Sequence, residues 1–153
     1  MSPLKRSAAL IGLSQDHRST LMTAQMLKKG APMFKGMPES ITGKMQYLHQ
    51  HFVMQMMDHF EKEEAILFPF ISGRTAELDE MVEELKNEHI EITHHINALP
   101  AVADPESAMD KIGHLIERHI RKEERRLFEL VQEHFSSKEL EELGKRLAPQ
   151  ESK

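Results

Sequence analysis

The decapeptide His59-Phe-Glu-Lys-Glu63-Glu64-Ala-Ile-Leu67-Phe68 returns sixty residues later as His119-Ile-Arg-Lys-Glu123-Glu124-Arg-Arg-Leu127-Phe128. Each copy of H-x-x-K-E-E-x-x-L-F follows an earlier stretch with an acidic residue and a histidine: Asp16-His17 before the first and Glu88-His89 before the second. The chain reads as two halves, each with a lone His and then an H-x-x-x-E pair. Residues four apart share a helix face, with Cβ atoms about 5 to 6 Å apart. A fold for this chain must therefore satisfy four imidazoles and two carboxylates wherever those faces meet.

Helical periodicity runs through the whole chain, and no alternating strand pattern interrupts it. Ser14 is expected to cap a first helix with Leu13, His17, Leu21, Ala24 and Leu27 on one face, ended by Gly30 and Pro32. A second helix carries Ile41, Met45, Leu48, Phe52, Met56, His59, Glu63, Ile66 and Phe70 in steps of four and three, stopped by Pro69 and Gly73. A third has Leu78, Val82, Leu85, His89, Ile92, Ile96 and Leu99 before Pro100. Asp104 followed by Pro105 predicts the start of a fourth, with Met109, Ile112, Ile116, His119, Glu123, Leu127 and Leu130 inward. Ser136 and Glu139 form a capping box for a short fifth helix bearing Leu140, Leu143 and Leu147. The expected fold is all-α: an antiparallel, up-down four-helix bundle with a short C-terminal fifth helix, one domain over residues 1–153.

His17, His59, Glu63, His89, His119 and Glu123 fall on the seams assigned to the core. His49, His51, His94, His114 and His134 fall off them, and His95 lies at an edge. A lone seam histidine is usually a hydrogen-bonded core residue, but two buried carboxylates with four imidazoles need a common neutralising partner. Counting about 1.5 Å of rise per residue from each turn brings all six to similar heights in an antiparallel bundle. Glu63 and Glu123 could each reach between two metal ions, with His17 and His59 and then His89 and His119 as terminal ligands. Imidazole and carboxylate without thiolate suit iron, manganese or zinc, and two bridging carboxylates favour a pair of irons. Asp16 and Glu88 are weaker candidates as acceptors for imidazole N–H groups. Glu61, Glu64, Glu83, Glu84, Glu124, Arg125 and Arg126 read as solvated faces.

Composition removes other classes. The net charge of −5 disfavours nucleic acid and anionic membranes as partners. Without cysteine there are no disulfides, zinc-thiolate sites or cysteine nucleophiles. The longest apolar run, Ala65 to Ile71, contains Pro69 and falls far short of the roughly 20 residues of a spanning helix. Lys5 and Arg6 precede only a short apolar stretch with no cleavage-site pattern, so a soluble cytoplasmic protein is expected. The eleven methionines read as core filler.

The set D-H, H-F-x-x-E-E-x-x-L-F-P, E-H and H-x-x-x-E-E closely resembles the bacterial hemerythrin-like, or HHE cation-binding, domain over about residues 13 to 147. The resemblance implies a non-haem di-iron centre ligated by His17, His59, Glu63, His89, His119 and Glu123. Members are associated with binding oxygen or nitric oxide, with sensing redox state or iron, and with repair of iron centres. Oxygen carriers of the family have an H-x-x-x-H pair on the third helix, whereas the residue four after His89 is Thr93. The resemblance therefore implies six protein ligands, the shell being completed by water, by an unforeseen residue such as Tyr47, or by an open position for a small diatomic or anionic ligand. Two other classes remain open: a di-iron enzyme reducing peroxide or nitric oxide, and a metal-free helical interaction or phosphotransfer bundle. Ferritin-like carboxylate enzymes are disfavoured, because their E-x-x-H pairing is matched only by Glu91 and His94, off the seam.

Overall fold

The structure, a computed structural model, describes residues 5–149. Among them there is no strand, and five helices account for most of the chain. The first spans Ala8–Leu27. The second covers residues 41–71 as one rod containing two π turns, Phe52–Met56 and Glu63–Leu67. The third spans Ala76–Ala98 and ends in a 3-10 turn at Leu99–Ala101. The fourth covers residues 105–134 with its own π turn at Glu123–Leu127, and the fifth is Ser137–Leu147.

Capping follows the sequence at the starts of the fourth and fifth helices, and Thr75 caps the third. Thr75, Asp104 and Ser136 accept from the backbone N–H of Leu78, Ser107 and Glu139, and Glu139 completes its capping box on the Ser136 N–H at 2.9 Å. The first helix differs. It begins two turns before Ser14, capped by Ser7, whose backbone N–H donates to Gln132 Oε1 at 2.9 Å near the end of the fourth helix. Docking against a distant side chain fixes this start, and Ser14 lies inside the helix with its hydroxyl donating to Glu124.

The π turns displace the predicted seams. Past Glu63 the buried residues are Leu67, Phe68 and Ile71, not Ile66 and Phe70; past Glu123 they are Leu127, Phe128 and Val131, not Leu130. A π turn holds one more residue than an α turn, and after Glu63–Leu67 and Glu123–Leu127 the later side chains move to a new face, whereas past the earlier turn at Phe52–Met56 the buried His59 and Glu63 keep the predicted seam. Pro69, expected as a stop, lies within the final turn of a helix that continues to Ile71. It does not cause the π turn, because the second repeat has Glu129 at the equivalent place and the same π turn.

Two apolar clusters result, one around Leu48, Met56, Phe60, Ile92, Ile112 and Ile116, the other around Leu10, Leu67, Phe68, Leu85, Leu127 and Phe128. The first and fourth helices approach closely at Gly113, where a Cβ would stand 2.6 Å from the Ala24 carbonyl oxygen. Between the clusters the sequence places a buried polar layer.

Candidate metal centre

His17, His59, Glu63, His89, His119 and Glu123 are all buried, and both glutamates are 0% exposed. They converge on that layer. Glu63 spans two helices, its Oε1 3.0 Å from His89 Nε2 and its Oε2 3.4 Å from His59 Nε2. Glu123 Oε1 likewise stands 3.1 Å from His17 Nε2 and 3.3 Å from His119 Nε2. The internal repeat reappears as geometry: the His17 and His59 rings are 4.8 Å apart at 58°, and those of His89 and His119 4.9 Å apart at 57°. Aromatic rings wall the layer, with Phe60 stacked on His89 at 3.9 Å and Phe128 on His17 at 5.8 Å.

Each imidazole is held from behind. His59 Nδ1 donates to Asp16 Oδ2 at 3.0 Å, His89 Nδ1 to Glu64 Oε2 at 2.8 Å, His119 Nδ1 to Glu88 Oε1 at 2.7 Å, and His17 Nδ1 to Glu124 Oε1 at 3.1 Å. The first helix thus supplies a carboxylate to the second, the second to the third, the third to the fourth, and the fourth back to the first. With Nδ1 committed to a carboxylate, which can only accept, Nε2 is left to face the centre on all four rings.

Glu64 is exposed, as a solvated face requires, and Glu124 is half-buried, but both also accept from a histidine of another helix, which the sequence did not indicate. Asp16 and Glu88 are the weaker candidates that the structure promotes. Adjacent residues on a helix do point apart, by about 100°, and that angle carries each carboxylate to a neighbouring helix's histidine instead of its own. The available signal was the recurrence of an acid next to a seam residue four times, in Asp16-His17, Glu63-Glu64, Glu88-His89 and Glu123-Glu124.

Electrostatics makes the layer a trap for positive charge. Burial works against protonating His17, yet hydrogen bonds to Glu123 and Glu124 override it and raise its pKa to about 9. Burial likewise opposes His59 and His119, and Glu63 with Asp16 carries the first to about 11 while Glu123 with Glu88 carries the second to about 10. Burial would raise Glu123, but Glu63 and the surrounding imidazoles hold it well below the usual carboxylate range.

His59 Nε2, Glu63 Oε2, His119 Nε2 and Glu123 Oε2 are buried and make no hydrogen bond. Two groups of side chains bring their donor atoms within 4.8 Å of one another, His17 with His59, Glu63 and Glu123, and Glu63 with His89 and His119. Four buried, unsatisfied donor atoms aimed at one layer fit cations of the imidazole and carboxylate preferring kind. A cavity with an open volume of about 10 Å³ adjoins the layer at His17, His59, His119 and Glu123.

The remaining histidines stand apart from this layer. His49, His94, His114 and His134 are exposed, and His95 is half-buried 3.9 Å from Glu91. His51 departs from expectation: it is 5% exposed, turned inward beside Phe52 where the first π turn begins. Tyr47 packs against the Met56 and Phe60 cluster and does not line the cavity at the centre. No helix among the described residues is long and apolar enough to cross a membrane.

No curated protein and no solved structure matches this chain. A family model described as the hemerythrin HHE cation-binding domain matches residues 12–131, a span holding all six inward residues and the four carboxylates behind them. The chain belongs to the hemerythrin HHE cation-binding family.

Proposed function

We propose that His17, His59, Glu63, His89, His119 and Glu123 hold two metal ions, iron in the native protein, in a single up-down antiparallel bundle. His17 and His59 would end one ion's shell and His89 and His119 the other's, with Glu63 and Glu123 reaching between them. The observation that carries this reading is the set of four buried atoms, His59 Nε2, Glu63 Oε2, His119 Nε2 and Glu123 Oε2, without a hydrogen-bond partner. His59 Nε2 with Glu63 Oε2 and His119 Nε2 with Glu123 Oε1 stand only in ion-pair range, at 3.4 and 3.3 Å, so a bound cation would improve on the contacts they have.

An iron pair supplies one-electron chemistry and, with six protein ligands, an exchangeable position for a small molecule. The chain's own part is to orient four imidazoles through Asp16, Glu64, Glu88 and Glu124, to keep bulk water out with Phe60 and the flanking apolar clusters, and to leave beside His17, His59, His119 and Glu123 a small space of about 10 Å³. We therefore assign the protein to binding or sensing of a diatomic such as oxygen or nitric oxide. With Thr93 in place of the second histidine of the carrier pattern, reversible oxygen carriage is not expected.

Elemental analysis of protein expressed in iron-replete medium should give about two metal ions per chain. Its optical spectrum should respond to azide or nitric oxide. Less than one equivalent of any transition metal in folded protein would refute the reading, and full recovery of the reduced spectrum under argon after oxygen would restore a carrier.

A further inference from the structure

Besides the residues of the centre, the adjoining cavity is walled by Met56, Phe60, Ile92, Ile116, Ile120 and one polar side chain, Thr20. Mid-helix threonines commonly turn the hydroxyl back to the carbonyl four residues earlier, as Thr23 does on Ser19 at 2.9 Å. Thr20 instead reaches across to the second helix, its Oγ1 2.9 Å from His51 Nε2. His51 is the buried histidine that the four-carboxylate ring does not use, and burial pushes its pKa below the ordinary value, leaving the ring neutral.

A neutral imidazole has one N–H and one bare nitrogen, and a hydroxyl can accept and donate at once. The contact runs either way, and it is the tautomer with the proton on Nε2 that the role requires: His51 then donates to Thr20 Oγ1 and leaves the threonine proton free for the cavity. Away from the histidines and Glu123 the wall is apolar but for Thr20, so this one hydroxyl is the donor that side offers, and a ligand that gains electron density at the centre is a stronger acceptor than a free one. Resting on the metal-pair reading above, we infer that Thr20, positioned by His51, is the hydrogen-bond donor to a diatomic ligand bound in this cavity. Ile92, Ile116 and Met56 select for size, and Thr20 selects for the acceptor.

The test uses nitric oxide on the reduced, iron-loaded full chain. Thr20→Val keeps the shape and removes the hydroxyl; it should weaken nitric oxide binding roughly ten-fold and shift the bound N–O stretching frequency, at unchanged metal content. Thr20→Ser should restore both, and His51→Phe should give a smaller loss by freeing the hydroxyl to rotate. In the wild type, the N–O frequency should move between H2O and D2O, a readout that needs no variant.

Unchanged affinity and frequency in a fully loaded Thr20→Val protein would overturn the inference and leave the metal pair standing. Should Thr20→Val not fold or load, the absence of any H2O to D2O shift in the wild type would overturn it alone. A wild type that binds no metal, or whose loaded centre ignores nitric oxide, would overturn the proposed function and this inference with it.

Discussion

Glu64 of the second helix accepts a hydrogen bond of 2.8 Å from His89 Nδ1 of the third, while its neighbour Glu63 stands 3.0 Å from the other nitrogen of the same ring. One dipeptide thus grips both edges of one imidazole. Glu123-Glu124 does the same to His17, at 3.1 Å on each nitrogen.

The outer member of each pair sets the orientation of a donor to the centre. Glu64→Gln and Glu124→Gln should therefore weaken metal affinity about 10- to 100-fold without abolishing folding. Glu61→Gln, on an exposed position of the same helix, should leave affinity unchanged. Competition against a chelator of graded strength measures all three.

The inner members should matter more. Glu63→Ala or Glu123→Ala is expected to lose most of the metal and with it the stabilisation that binding confers, about 2.7 kcal/mol at a free metal concentration one hundred times Kd. His94→Ala, on an exposed side chain, should retain both. Metal content and thermal midpoint, read on the same samples, separate the two classes.

Metal-free and loaded protein should respond oppositely to pH. His17, His59 and His119 have folded pKa values raised to about 9, 11 and 10 from 6.5. Their contribution is fully present below about pH 6.5 and is lost as pH rises through the folded values. Chelator-treated protein should therefore weaken from about pH 7 towards pH 11. In the loaded form cations replace those protons, so destabilisation should move to the acid side, where ligands protonate and metal leaves. Urea unfolding at several pH values, with and without metal, checks the crossover.

Gly113 lies remote from the proposed ligands. Gly113→Ala would set a Cβ 2.6 Å from the Ala24 carbonyl oxygen and push the first helix from the fourth. A loss of about 1 to 3 kcal/mol is expected, as for other overpacked contacts. Denaturant titration reads the stability, and chelator competition reads whether the displacement reaches His17 and His119.

The seam of the third helix was legible: Leu78, Val82, Leu85, His89, Ile92 and Ile96, with Leu99 in the turn that follows, are all buried as expected, and Met81 beside that seam is buried as well. Across Glu63 and Glu123 the same reasoning failed at Ile66, Phe70 and Leu130, because a fixed period cannot register a π turn. The six inward residues were legible because charge on an apolar seam is physically conspicuous. Glu64 and Glu124 were not, because their partners lie on other helices and a surface-phase glutamate looks the same whether or not it meets one. Ser14 and Ser7 are equally good caps in isolation, and contacts far along the chain, Gln132 on the Ser7 N–H and Glu124 on Arg6, favour Ser7.

The cyclic passing of carboxylates from helix to helix also governs how each helix can roll about its own axis. Turning any one of the four by a single residue, about 100°, would break two bonds at once, the one its acid receives and the one its histidine gives. No helix can be re-phased alone, and the loop has no free end where an error could be absorbed. A substitution that rolls the first helix should therefore register at His89, two helices away, before it unfolds anything.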